Sequence, residues 1–130
     1  MHTEQLIQNY INAFNQNNME AQLATLHEQV VHDLNEGGSE IGRDAFRKFK
    51  SHMNECYREQ LVDVVIMTNG NRGAAEFMVE GTYIKTDGNL PPAHGQRYRV
   101  PAAAFFETDG ALITRVTSYY NLKGWIAAVS

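Results

Sequence analysis

Apolar residues near the start of the chain recur at three- and four-residue intervals. Leu6, Ile7, Tyr10, Ile11 and Phe14 form one stripe between Thr3 and Asn15, and Gln and Asn fill the opposite side. This spacing predicts an amphipathic helix with one face on a core. Gln16, Asn17 and Asn18 interrupt the pattern, and Asn17 with Glu20 has the spacing of a capping box for a second helix carrying Leu23 and Leu26 and ending near His27. The run from Gln29 to Asn35 contains adjacent valines and leads to Gly37-Gly38, which predicts a strand closed by a turn. Beyond Gly42, Phe46, Phe49, Met53 and Cys56 or Tyr57 return to helical spacing with Arg and Lys between them, giving a third amphipathic helix.

After Tyr57 the periodicity becomes that of strands. Leu61 to Thr68 is rich in β-branched residues, and Asn69 to Gly73 is a hairpin connection to a long strand from Ala74 to Lys85. Thr86 to Gly95 carries Asp-Gly and Pro-Pro and reads as a loop. Gln96 to Glu107 and Leu112 to Tyr120 then form a second hairpin about Asp109-Gly110. The tail from Asn121 to Ser130, with Trp125 and Ile126, is expected to pack back as a short helix or edge segment. Helices first and antiparallel strands afterwards define an α+β fold with helices covering one face of the sheet.

Composition narrows the partners. A length of 130 residues with 43% hydrophobic content supports one domain over residues 1–130 with a sizeable core. A net charge of −4 gives no electrostatic reason to expect nucleic acid. One cysteine, Cys56, makes no internal disulfide, and neither a secretory leader nor an apolar run of roughly 20 residues is present, so a cytoplasmic protein without a membrane span is expected. The five histidines show no metal-site spacing, so no metal is expected. There is no phosphate-binding glycine loop and no nucleophile elbow. Glu76 and Glu80 share a strand face opposite in parity to Phe77, Val79 and Tyr83, which reads as solvated or dimer-facing surface.

Three stretches carry a resemblance. Tyr10-Ile-Asn-Ala-Phe-Asn15 is similar to the helix that bears the oxyanion-binding tyrosine of ketosteroid isomerases. Val31-His-Asp33 with Gly42-Arg-Asp-Ala-Phe46 resembles the strand, turn and helix of the same family. Ala93 to Pro101, Phe105 to Gly110 and Ile113 to Val116 resemble the terminal hairpin of SnoaL-like proteins. The whole order of elements matches the nuclear-transport-factor-2-like superfamily. The resemblance implies a cone-shaped, cystatin-like curved antiparallel sheet covered by three N-terminal helices, an enclosed pocket for a small apolar ligand, and a homodimer through the outer sheet face.

It also implies candidate chemistry: cofactor-free proton transfer, as isomerisation or cyclisation, on an apolar carbonyl compound. Asp33 falls on the general base and Tyr10 on the oxyanion donor; the protonated acid that completes the isomerase site falls on Ala104, which departs from the isomerase pattern. An apolar surrounding would raise the carboxyl of Asp33 toward that of a useful base. Strand alternation lets only one of His32 and Asp33 line the pocket; Asp33 is the expected one, although the sequence does not fix the register. Tyr98, Val100, Ala102, Ala104 and Phe106 share one strand face whose alanines leave room for a ligand, and Tyr57, Tyr119 and Asn121 are expected to add polar tips. The alternative is a non-catalytic binding or dimeric interaction module using the same cavity or sheet face.

Overall fold

The computed structural model describes residues 2–130. Helices α1 (Thr3–Asn15), α2 (Met19–Ala24) and α3 (Arg43–Cys56) precede most of the sheet. The strands are β1 (Leu26–Asp33), β2 (Ser39–Ile41), β3 (Tyr57–Asn69), β4 (Arg72–Tyr83), β5 (Gln96–Thr108) and β6 (Ile113–Tyr120), followed by α4 (Leu122–Val129). They form one curved sheet in the order β2-β1-β6-β5-β4-β3. All neighbours are antiparallel except β1 and β6, which run parallel. No helix of the described residues is long and apolar enough to cross a membrane.

Several boundaries move from their expected places for local reasons. The cap of α2 is Asn18, whose side chain accepts from the amide of Ala21 at 3.0 Å, while Asn17 takes a positive φ of 53° in the link. The helix stops at Ala24, not near His27, and the chain extends at once into β1, because Leu26 is wholly buried as the first inward residue of that strand. β2 is too short to show a period. Helix α3 passes directly into β3 at Tyr57 without a loop.

The helices are tied to the sheet by polar anchors as well as by their apolar stripes. Thr3 Oγ1 donates to the carbonyl of Gly70 at 2.8 Å at one end of α1. At the other end the Asn15 amide donates to the Leu61 carbonyl at 2.9 Å and accepts from the Leu61 amide at 2.8 Å, acting as an extra strand partner. Between these anchors Leu6, Ile7, Tyr10 and Ile11 pack with Leu23, Leu26, Val30, Phe46, Phe106 and Val116 in the main core. A second cluster gathers around α4, where Trp125 meets Tyr83 edge-on at 4.9 Å and Tyr57 stacks on Tyr83 at 5.4 Å.

Sheet curvature has a visible device. The β3–β4 register shifts between Val62 and Val65, and Asp63 adopts a φ of 54°, a conformation that Asp tolerates better than most residues. The bulge switches parity, so Val64 and Ile66 pack on the core while Val65 and Met67 are exposed. Across three strands Glu59 pairs with Gly81 and Gly81 with Tyr98. The Tyr98 ring lies over Gly81 and delivers its hydroxyl to Glu59 Oε2 at 2.5 Å. A Cβ on Gly81 would stand 2.5 Å from that ring and its hydroxyl. Gly81→Ala is therefore expected to lower the unfolding free energy by about 1–3 kcal/mol through overpacking, measured by urea denaturation.

Candidate functional site

A cavity of about 160 Å³ lies between the helices and the concave face of the sheet. Its apolar walls come from Ile11 and Phe14 of α1, Phe46, Phe49 and Met53 of α3, Phe77 and Val79 of β4, and Val100, Ala102, Ala104 and Phe106 of β5. The face expected on β5 is thus the cavity wall, with Ala103 also reaching it. Polar groups enter at two places. Tyr10, Gln22 and His32 form one group, and Lys50, Glu59 and Tyr57 form another, with Ser118 and Tyr120 along β6.

β1 places its residues opposite to the expectation. Leu26, Val30 and His32 are buried at 0%, 0% and 4% exposure, so this parity faces inward, and Val31 and Asp33 face the other side of the sheet. Asp33 does not line the cavity. Its carboxylate accepts from Ser39 Oγ at 2.6 Å, Thr117 Oγ1 at 2.7 Å and Arg115 Nη1 at 2.7 Å. Hydrogen bonds from Ser39, Thr117 and Arg115 hold it at about 2, the reverse of the raised carboxyl that an apolar pocket would give. Val31 and Leu34 are apolar at opposite parities, so the run does not announce its inner face.

His32 takes the inward position. Its ring sits 4.6 Å from Phe49 and 5.0 Å from Phe46, and Nδ1 has no hydrogen-bond partner. Burial pushes the imidazole below its ordinary value, with the charge of Asp33 acting the other way. It is a neutral base at neutral pH. Tyr10 is 8% exposed and edge-on to Phe106 at 5.4 Å and to Phe46 at 6.3 Å. Burial raises its hydroxyl to about 12, opposed by the Gln22 side chain, so it remains a proton-bearing donor. The Gln22 Oε1 atom is a buried acceptor without a partner.

The second polar group was not anticipated. Lys50 is 8% exposed, with Nζ 3.6 Å from the centroid of the Phe14 ring. Burial lowers its ammonium to about 8, and Glu59 opposes that shift. Burial raises the Glu59 carboxyl, against the hydrogen bond from Tyr98 and the charge of Lys50. Charged residues on an amphipathic helix and a strand look solvent-facing in sequence; only the i, i+4 spacing of Lys50 from Phe46 marks it as sharing the inner stripe.

The remaining expected residues divide. Tyr57 lines the cavity and donates to Asp87 Oδ2 at 2.7 Å. Tyr98 stands behind the wall, bonded to Glu59 and packed on Trp125 at 5.8 Å. Tyr119 borders the cavity but is 52% exposed, with its ring 5.9 Å from Phe105 on the outer face. Asn121 does not contribute: it caps α4, accepting from the amide of Gly124 at 3.1 Å. Glu76 and Glu80 are exposed on the outer surface. Among the described residues, donor atoms of His52, Cys56 and Asp87 lie within 4.8 Å of one another and could hold a metal ion; the His52–Asp87 contact is 2.7 Å.

A family profile described as a SnoaL-like domain matches residues 7–116. A candidate polyketide cyclase from Pseudomonas putida is 47% identical with a TM-score of 0.97, covering 100% of this chain and 99% of that one. A candidate polyketide cyclase from Xanthomonas campestris pv. campestris is 52% identical with a TM-score of 0.95, covering 98% of this chain and 96% of that one. At the level of fold alone, a protein with a ketosteroid isomerase-like fold from Catenulispora acidiphila, in complex with trimethylamine, is 17% identical with a TM-score of 0.78, covering 95% and 91% of the two chains. None of the curated proteins compared matches the chain.

The Asp33 network makes a pH prediction. A carboxyl held at about 2 in the fold, against an ordinary value of 3.8, contributes stability that is present above the ordinary value and lost as pH falls through the lower one. Asp33→Asn should therefore melt below wild type at neutral pH, and the gap should narrow as pH falls from 4 toward 2. Melting temperature against pH measures it.

Proposed function

The chain belongs to the SnoaL-like domain family, and within it we propose that the cavity binds a small apolar carbonyl compound and moves a proton at the carbon beside the carbonyl. His32 acts as general base, and the Tyr10 hydroxyl donates to the oxygen as it becomes an enolate. The same first step serves isomerisation, where the proton returns at another carbon, and ring closure, where the enolate carbon attacks a second carbonyl. The proton stays between substrate and imidazole, so no cofactor enters the step.

The observation that carries this reading is the pair of buried polar atoms without partners, His32 Nδ1 and Gln22 Oε1, in a cavity whose walls are largely apolar. Buried polar groups are nearly always hydrogen-bonded, so an unpartnered pair points to a ligand that completes them. Size supports a substrate class: at about 160 Å³ the space resembles an engineered cavity of ~150 Å³ that takes benzene, which suits a single ring and not a steroid. Ala104, on the wall where the isomerases have their protonated acid, favours the competing reading of a non-catalytic binding module.

Deuterium uptake by cyclohexanone in heavy water, followed by NMR, separates the two. His32→Ala should slow uptake by at least about 10²-fold and Tyr10→Phe by about 10²-fold, while Asp33→Asn retains it. Wild-type exchange no faster than buffer, with the ketone still raising the melting temperature, would leave the binding module standing.

We further propose a homodimer through the outer sheet face. Val65, Met67, Phe105 and Tyr119 are exposed there at 48%, 51%, 47% and 52%, and Met67, Ala74 and Phe105 stand in one cross-strand row. Phe105→Glu should halve the mass measured by light scattering on a sizing column while leaving the melting of the fold cooperative.

A further inference from the structure

Lys50 occupies a place where a lysine is costly. Lys50 is buried on α3, and its ammonium faces the Phe14 ring of α1 and forms no ion pair among the described residues. The other lysines, Lys48, Lys85 and Lys123, are exposed. A buried lysine held only by the Phe14 ring and the charge of Glu59, with no direct ion pair, gives up much of its solvation, and such amines are the ones that act as nucleophiles. Two further groups surround the same space. Glu59 lines the cavity and is oriented by the 2.5 Å bond from Tyr98, and Tyr57 lines its edge with its hydroxyl given to Asp87. An amine and a carboxyl in a largely apolar chamber are the parts that imine chemistry needs.

We propose that Lys50 is a second reactive centre of this cavity, its amine adding to the carbonyl carbon of the bound compound to form a protonated imine. The inference rests on the reading that the cavity takes carbonyl compounds. In the first step the Lys50 ammonium passes a proton to the Glu59 carboxylate, the freed Nζ lone pair forms the C–N bond, and a proton passes from nitrogen to the former carbonyl oxygen, giving a carbinolamine. In the second, the Glu59 carboxyl gives its proton to that oxygen, the C–O bond breaks, and water leaves. The products are an iminium on Lys50, a Glu59 carboxylate that pairs with it, and one water, which balances the ammonium, carbonyl and carboxylate that entered. The iminium draws electrons from the neighbouring carbon, so it supplies the sink that β5 withholds by carrying Ala104, and His32 can then remove the proton. Gly81 belongs to this device, because only a residue without a side chain lets Tyr98 reach across β4 to hold Glu59.

Reductive trapping tests it. The full chain is incubated with benzaldehyde and cyanoborohydride, and the N-benzyl adduct is mapped by peptide mass spectrometry. The expected result is modification of Lys50 about tenfold or more faster than of Lys48, Lys85 or Lys123. Lys50→Met and Lys50→Arg, each checked for an unchanged circular dichroism spectrum, should lose the fast adduct, and Lys48→Met should keep it. Cyclohexanone exchange is run beside it. Adducts spread over the exposed lysines, with Lys50 unmodified and exchange unchanged in Lys50→Met, would overturn the imine and leave the proton-transfer reading intact. Loss of both trapping and exchange in wild type would remove both.

Discussion

On β1 the side chains alternate between a sealed interior and the outer face of the sheet. Val30 is wholly buried, so His32 is delivered to the cavity and Asp33 to the Arg115 guanidinium. Both assignments follow from one two-residue period. Shifting the strand by a single residue would place a carboxylate among Phe46 and Phe49 and strand an imidazole beside Arg115. The parallel pairing of β1 with β6 locks the present choice, because Asp33 stands opposite Thr117 and takes its hydroxyl as a partner.

The interior that this register creates holds more polarity than a core needs. Tyr10, Gln22, His32, Lys50 and Glu59 all reach one small chamber. Each buried polar group left without a partner costs about 1–3 kcal/mol, and well-packed apolar residues would remove that cost. The protein spends stability there and recovers it elsewhere, in the aromatic cluster about Trp125 and in the paired anchors of α1. Burial then sets the protonation states: it pushes His32 and Lys50 toward their neutral forms and keeps Tyr10 protonated. A neutral imidazole, an ammonium brought down to about 8 and a protonated phenol around a largely apolar space form a coherent set for carbonyl chemistry.

Much of the architecture was legible because it is written in periods. The stripe Leu6, Ile7, Tyr10, Ile11 and Phe14 placed α1 and brought Tyr10 to the cavity, and the alanines of β5 marked its wall. Where the period was ambiguous the reading failed. Val30 and Val31 are both apolar, so the inner face of β1 could be taken either way, and the choice fell on Asp33. Lys50 and Glu59 were overlooked because charge normally signals solvent, and the glycine that admits Tyr98 over β4 has meaning only once three strands are in register. Asn121 was read as a ligand tip, whereas the start of α4 uses it as a cap.

In the proposed function His32, not Asp33, is the titratable group of β1 that meets the ligand. The ¹⁵N resonances of the His32 imidazole, followed against pH with and without cyclohexanone, test it directly. The account predicts a ring that stays neutral to below its ordinary value of 6.5 and whose resonances move when the ketone is added. A His32 that titrates at or above that value, with resonances indifferent to the ketone, would contradict it.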